Sequence, residues 1–495
     1  MKTFKILGIV CFFSLLNWGC EKDDSPTELL SPRADFTFSP EEPVEGDVIT
    51  FTMNTRENSS ELSSWTWKFG DEQASTSTEG EPQFVYEEPG NYEVILEVTD
   101  VNNNLYRTSK NIEVVKAEFP AAIVWDYSYE TPVLRLNEGS NAPAIGADGT
   151  IFFVEGNAAE ESKVVAVTDT GENAEFKWAS AIGHQISNAP SIGPDGNIYI
   201  NSWLASSSTV KMDASNGNIL WNASIGTGVS NNTAAIDSQG NIYHGSRAQG
   251  TNGGAFSFNS EGEMRWSITE VGAFYAAPAL GSDESTIYFL NTSENKIWAV
   301  NTDDGSLKWE ESVGEGSGST GSSLSIDSDG TIYYTSNSHV VAVTDNETTG
   351  EVKWATEISG AANSGVVIGP EGDLYTGATS GLYALNPADG SIMWSQNAEI
   401  TESVPAVDIN GNIYVGTTTG SLLIFNSEGE LEKDLELGDN VVNSPTIADD
   451  GSVFIEVYDE GVIRLFKIAV ENSSPANSAW PMKGQNARNT AKAIN

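Results

Sequence analysis

From about Ala121 onward, short apolar runs alternate with Gly-containing turns in a unit that returns many times. The stretch SIGPDGNIYI at 191–200 shows it: an aliphatic pair, a tight turn, and a strand that doubles back. Turn elements end at Gly149, Gly196, Gly240, Ser285, Gly330, Gly372, Gly411 and Gly451, each followed after one residue by Ile, Leu or Val and then by Tyr or Phe. Their spacing of 39 to 47 residues is the length of one four-stranded propeller blade, so eight blades are expected. The Asp-Gly and Asn-Gly pairs predict two-residue hairpins, in which Gly supplies the positive φ.

A second periodic mark bears on closure. Trp178, Trp221, Trp266, Trp309, Trp354 and Trp394 each follow a turn and lead the last strand of a unit. Lys433 stands where the seventh unit should have its Trp, which predicts a poorly packed rim there. The eighth unit lacks a Trp strand of its own, while Trp125 precedes the first turn element without a unit to belong to. The economical reading is that the Trp125 segment completes the eighth blade, pinning N- and C-terminal strands together; the segment of Trp480 is the competing candidate.

Residues 34–116 follow a different pattern, with period-two alternation in short strands such as Tyr92-Glu-Val94-Ile-Leu96-Glu-Val98, which buries one face. Trp67-Lys68-Phe69-Gly70-Asp71, Phe84-Val85-Tyr86 and Pro89-Gly90-Asn91-Tyr92 resemble a PKD domain, an immunoglobulin-like β-sandwich. That resemblance implies a spacer or adhesion module with Trp65 and Trp67 in its core and sheets. Glu72 replaces the Gly usual after the family's Asp, so the turn there is expected to be tighter or shifted. In the repeats, IWAVNTDDGSLKW at 297–309, YALNPADGSIMW at 383–394 and the terminal AWPMKGQNARNT resemble the PQQ-like, quinoprotein-type, BamB-like propeller family. The fold class expected is therefore all-β: a PKD-like sandwich over 34–116, then an eight-bladed propeller over 120–495.

The first nineteen residues read as an address. Lys2 and Lys5 precede an apolar run, Ile6 to Leu16, too short to span a bilayer, and Leu16-Asn17-Trp18-Gly19-Cys20 resembles a lipobox. Cys20 is the expected lipid anchor and residues 20–33 a tether, with membrane contact through that lipid only. Glu21-Lys22-Asp23-Asp24 looks like the export signal of Bacteroidota surface lipoproteins, which implies the outer face of the outer membrane; a periplasm-facing protein is the alternative. Cys11 and Cys20 are the chain's two cysteines, so the mature protein has no disulfide, thiolate metal site or cysteine nucleophile.

Lys+Arg 24 against Asp+Glu 70 gives a net charge of −46, which repels phosphate backbones and excludes nucleic acid as a partner. A quinone-dependent dehydrogenase of this family would be expected to show a calcium-ligating Glu, Asn and Asp and a vicinal Cys pair; the pair is absent, and no ligand set stands out. His184, His244 and His339 fall in separate units, without zinc spacing. Neither metal, cofactor nor catalysis is expected, and the chain is expected to be monomeric.

What remains is binding, on the face opposite the Asp-Gly turns. The connectors there are small and polar, suited either to hydrogen-bonding a sugar or peptide or simply to crowding strands round an axis. Trp203, in a long loop outside the repeat, is the first candidate contact, followed by His184, Asn188, Asn231, Phe274 and Tyr275. The preferred function is a surface scaffold for a glycan or protein. A BamB-like scaffold in outer-membrane β-barrel assembly is the alternative.

Overall fold

The computed structural model describes residues 34–494 apart from 55–59, 129–140, 156–160, 185–187, 203–207, 226–231, 247–252, 270, 313–322, 337, 361–363, 401–402 and 441–442. The signal segment, Cys20, the tether, Trp203 and Asn231 lie outside the described residues. The chain divides into two units, Met1–Glu118 and Phe119–Asn495.

In the first unit Phe36–Ser39, Ile49–Met53 and Gln83–Phe84 form one antiparallel sheet, and Thr76–Ser77, Leu62–Lys68, Gly90–Asp100 and Leu105–Val114 form the other. The alternating strand does what its period dictates: Val94, Leu96 and Val98 point inward onto Phe36, Phe51 and Trp67. Trp67 is fully buried and Trp65 partly so, and both indoles donate to the Glu79 carbonyl at 3.0 Å. With Glu72 in place of Gly, the left-handed backbone falls to Ala74 (φ 55°), and the Asp71 carboxylate closes the turn by accepting from the Ser75 N–H and hydroxyl, 2.8 and 2.7 Å away.

The second unit is a β-propeller. Its described residues form eight four-stranded antiparallel sheets, each with consecutive strands in spatial order from the axis outward until the last. Sheet one comprises Ala144–Ile145, Thr150–Glu155, Glu161–Asp169 and Ala174–His184. The second and third strands are covered by neighbouring sheets on both faces, so they read as unbroken apolar runs such as TIFFVE. The outer strand alternates, with Trp as its buried residue, as in Leu307–Ser312.

The turns differ from the two-residue hairpins expected. Gly149 N–H donates to Gly146 O (3.0 Å) and Gly146 N–H to Thr150 O (2.8 Å), which makes a three-residue loop with one left-handed residue, Gly149 (φ 78°). In sheet four the loop is one residue longer, and its left-handed residue is Glu284 (φ 61°), one place before Ser285.

The six tryptophans join each sheet to the next. Trp178 Nε1 donates to Ala214 O (3.0 Å), Trp221 to Ser260 O (2.9 Å), Trp266 to Thr302 O (2.9 Å), Trp354 to Pro387 O (2.9 Å) and Trp394 to Ser427 O (2.8 Å). Every ring lies over a glycine of the receiving turn: a Cβ on Gly217 would stand 2.5 Å from Trp178, and one on Gly390 2.5 Å from Trp354. Lys433 breaks this series for a structural reason. Sheet eight takes its outer strand from Ala121–Ser128, so no turn joins its third and fourth strands and no such glycine exists to receive an indole.

Closure runs through Trp125. Ala121–Ser128 pairs with Val462–Val470, and the Trp125 indole donates to Asp169 of sheet one at 3.1 Å, beside a Lys467–Asp169 ion pair of 2.5 Å. On the inner side Ser444 N–H donates to Asn141 O (2.7 Å) and Thr446 Oγ1 to Pro143 O (2.8 Å), so sheets eight and one are bonded directly. Trp480 has another task, taken up below.

Candidate functional site

Strand order gives the propeller two unlike faces. Inner strands start at the connector face and end at the turn face, where the Asp-Gly turns and the turns before each Trp both lie.

On the turn face the chain covers its own axis. Residues 474–493 accept hydrogen bonds from the last N–H of one inner strand after another: Ile145 to Ala487 O (2.7 Å), Ile192 to Arg488 O (2.9 Å), Ile236 to Thr490 O (3.0 Å), Leu280 to Ala491 O (2.9 Å), Ile368 to Trp480 O (2.8 Å) and Val407 to Pro481 O (2.8 Å). Those N–H groups end a strand and would otherwise lack a partner. Trp480 is buried and belongs to the large apolar core of the propeller, and the fully buried Asn489 side chain donates to Ala142 O (3.3 Å) and Pro190 O (3.1 Å). Lys492 adds an ion pair of 2.5 Å with Glu284. Clefts open between turns on this face, about 440 Å³ beside Asp148, Lys177 and Arg488, about 600 Å³ beside Asp283, Lys308 and Asp345, and about 290 Å³ beside Ser328, Pro370 and Ser478. Their linings are largely turn residues already engaged in bracing: Lys177 donates to Thr150 Oγ1 (2.7 Å), and Trp309 to Asp345 Oδ1 (2.8 Å). Asp195 is of the same kind. It accepts from Asn197, Tyr199 and Lys211 (2.8 Å), so desolvation that would raise its pKa is outweighed by these bonds, and the carboxyl titrates below its ordinary range.

On the connector face several sheets carry a polar residue two or three places ahead of the inner strand. Asn188 Nδ2 donates to Asn201 O (2.8 Å), Asn232 Nδ2 to Gly245 O (3.2 Å) and Phe274 O (3.1 Å), and Ser364 Oγ to Ser403 O (3.0 Å). Each bond ties a connector to its own second strand or to the next connector. Asn188 is thus buried and committed to holding the chain. Phe274 is buried too, packed edge-on against Phe289 and Trp298 at 5.8 and 5.3 Å, while the neighbouring Tyr275 is half-buried. His184 ends the outer strand of sheet one, opposite Glu161. These residues sit on connectors entering sheets two and four and do not converge on one cluster.

Three buried titratable groups were not singled out by the sequence. His244 is wholly buried, stacked between Phe256 and Phe258 at 5.7 and 5.9 Å, with Nε2 2.8 Å from Thr209 Oγ1 of sheet two. Burial pushes its pKa down to about 4. Glu155 and Glu456 are buried at the seam of sheets one and eight, and desolvation pushes each up to about 8. Their signal in the sequence is a Glu closing or interrupting an apolar strand, TIFFVE and VFIEV.

A pH dependence follows from His244. Its folded pKa lies below the unfolded 6.5, so the unfolded chain binds the extra proton. Its contribution is complete above pH 6.5 and is lost as pH falls toward 4, by roughly 2–3 kcal/mol. Urea unfolding at pH 7 and pH 4.5 should show a smaller acid loss for His244→Gln than for the wild type; equal losses would mean that His244 is not held neutral.

Residues 205–369 and 378–472 match the family described as outer membrane protein assembly factor BamB, and residues 30–114 match the PKD domain. Among solved structures the chain is similar to BamB from Moraxella catarrhalis, with 16% identity and a TM-score of 0.53 over 70% of this chain and 99% of that one. It is similar to Saccharomyces cerevisiae Sqt1 (12%, TM-score 0.56, 71% and 99%) and to the C-terminal WD40 domain of Sif2 (8%, 0.55, 71% and 99%). Likenesses at this identity show the propeller fold. No curated relative matches the chain.

Proposed function

Because the chain belongs to the family of the outer membrane protein assembly factor BamB, we propose that it is a non-catalytic scaffold, lipidated at Cys20, whose propeller docks a protein or glycan partner on its connector face. The observation that carries this reading is the C-terminal segment: residues 474–493 already occupy the axis of the turn face, which leaves the connector face and its loops to a partner. The longest second-to-third strand loops, including 203–207 with Trp203, belong to sheets one to three and mark the favoured sector. The acidic run after Cys20 favours the cell surface, with the PKD unit between anchor and propeller in the chain. The family match favours a second reading, a periplasm-facing scaffold for β-barrel assembly.

Photo-crosslinking residues placed at 203, Glu294 and Ser380 on the connector side, and at Asp304 and Asp389 on the turn side, test the docking face in cells. Adducts should form from the connector positions; adducts confined to the turn positions would overturn the assignment. Protease added to intact cells separates the two readings, because a surface protein is cut and a periplasmic one is protected.

A further inference from the structure

The closing seam carries an arrangement that the docking role does not use. At one position on the second strand, sheets one to seven place Val154, Asn201, Gly245, Leu290, Thr335, Gly377 and Gly416 in succession. Where that residue is polar, it bonds to the next connector: Asn201 Nδ2 to Asn232 O (2.8 Å) and Thr335 Oγ1 to Ser364 O (2.7 Å). Sheet eight puts Glu456 there, 1% exposed. Its Oε2 accepts from Asn443 Nδ2 at 3.0 Å, the carboxyl also takes a backbone hydrogen bond from Val154 of sheet one, and Oε1 is left without a partner of good geometry.

Glu155 follows Val154 directly, is 2% exposed, and has no partner for either oxygen. Asn141, on the connector into sheet one, is bonded through its carbonyl to Ser444, next to Asn443; its Oδ1 is buried and unpartnered as well. Four buried oxygens without a hydrogen-bond partner, from two carboxylates and an amide, thus lie on the strands and the connector that meet where the first and last sheets join. Protonating one carboxyl alone brings a single donor and leaves the other acceptors empty. Leaving buried acceptors unpaired is costly, and leaving buried charges unpaired is costlier. Lys163, across the strand from Glu155, and Lys483, near Glu456, are cations within electrostatic reach that favour the charged form of each carboxyl.

An oxygen-only donor set with two carboxylates matches a hard divalent cation in charge and in chemistry. Calcium, which takes mono- or bidentate carboxylates together with amide oxygens and water in flexible geometry, fits better than magnesium. We propose that Glu155, Glu456 and Asn141 hold one calcium ion at the seam, so that the ion clamps the last sheet of the propeller to the first.

The test uses the full chain after chelation and dialysis. Calcium chloride should raise the melting temperature by several degrees and bind with a stoichiometry of one by calorimetry. Glu155→Gln and Glu456→Gln replace buried charge by an amide of the same shape; each should fold without calcium at least as well as the chelated wild type and lose the calcium-dependent shift. Absence of any shift or heat in the wild type overturns the proposal, and so does a shift that persists undiminished in both variants, because the ion then binds elsewhere on the acidic surface.

Discussion

Deleting residues 473–495 should destabilise the propeller more than any single substitution, to the point that little soluble, cooperatively melting protein remains. The segment satisfies the last N–H of six inner strands, and each such bond is worth about 0.5–1.5 kcal/mol net, more where water cannot replace the lost partner. Trp480 and Met482 are buried to within 1%, and loss of a buried Trp alone costs about 3–5 kcal/mol. The total is on the order of 10 kcal/mol, comparable to the whole stability of a domain. Asn489→Ala isolates one part of this. It removes the two bonds to Ala142 O and Pro190 O, and a loss of about 1–3 kcal/mol is expected in urea. A truncated chain melting within about 2 °C of the intact one would show that the segment merely decorates the turn face.

The segment's importance explains why it was hard to see in the sequence. The repeat taught its own grammar: Gly149, Gly196 and their counterparts could be compared with one another, and so could Trp178 through Trp394. Comparison even located the exceptions. Trp125 fills the place that periodicity assigned to it, bonded to Asp169 across the closing seam. AWPMKGQNARNT occurs once, so no period shows what Trp480 packs against, and its indole suits a blade rim or an axial plug equally well as composition. Turn length was illegible for another reason. Asp-Gly is compatible with a two-residue hairpin or with a type I turn followed by a left-handed Gly, and only the Gly146–Thr150 bond distinguishes them.

Connector residues misled in the opposite direction. Asn188 and Phe274 look available because they sit in polar, Gly-rich stretches between strands, yet eight sheets meeting at an axis bury their connectors, and both side chains are consumed by packing. Glu155 and Glu456 were visible as charges within apolar runs. Their significance lies in the meeting of sheets one and eight, which are about 300 residues apart in sequence. Local pattern reads strands well and carries no record of which distant strands meet.

The Trp–Gly ladder allows a sharper test than loss of stability alone. Trp309 is 5% exposed, donates to Asp345 at 2.8 Å and packs on Tyr288 with ring centroids 6.0 Å apart. Trp309→Ala is expected to cost about 3–5 kcal/mol, the range for truncating a large buried aromatic. Gly350 lies under that ring, and a Cβ there would stand 2.5 Å from the indole and 2.9 Å from Glu311 Cβ. Gly350→Ala should therefore cost about 1–3 kcal/mol through overpacking. Removing the indole relieves the methyl's closest contact and leaves that with Glu311 Cβ, so the double variant should be more stable than the sum of the two losses by about 0.5–2 kcal/mol. Urea midpoints of the four proteins measure this coupling. Additive losses would mean that ring and glycine do not share one packing site, and the sheet-to-sheet ladder inferred from six tryptophans would lose its physical basis.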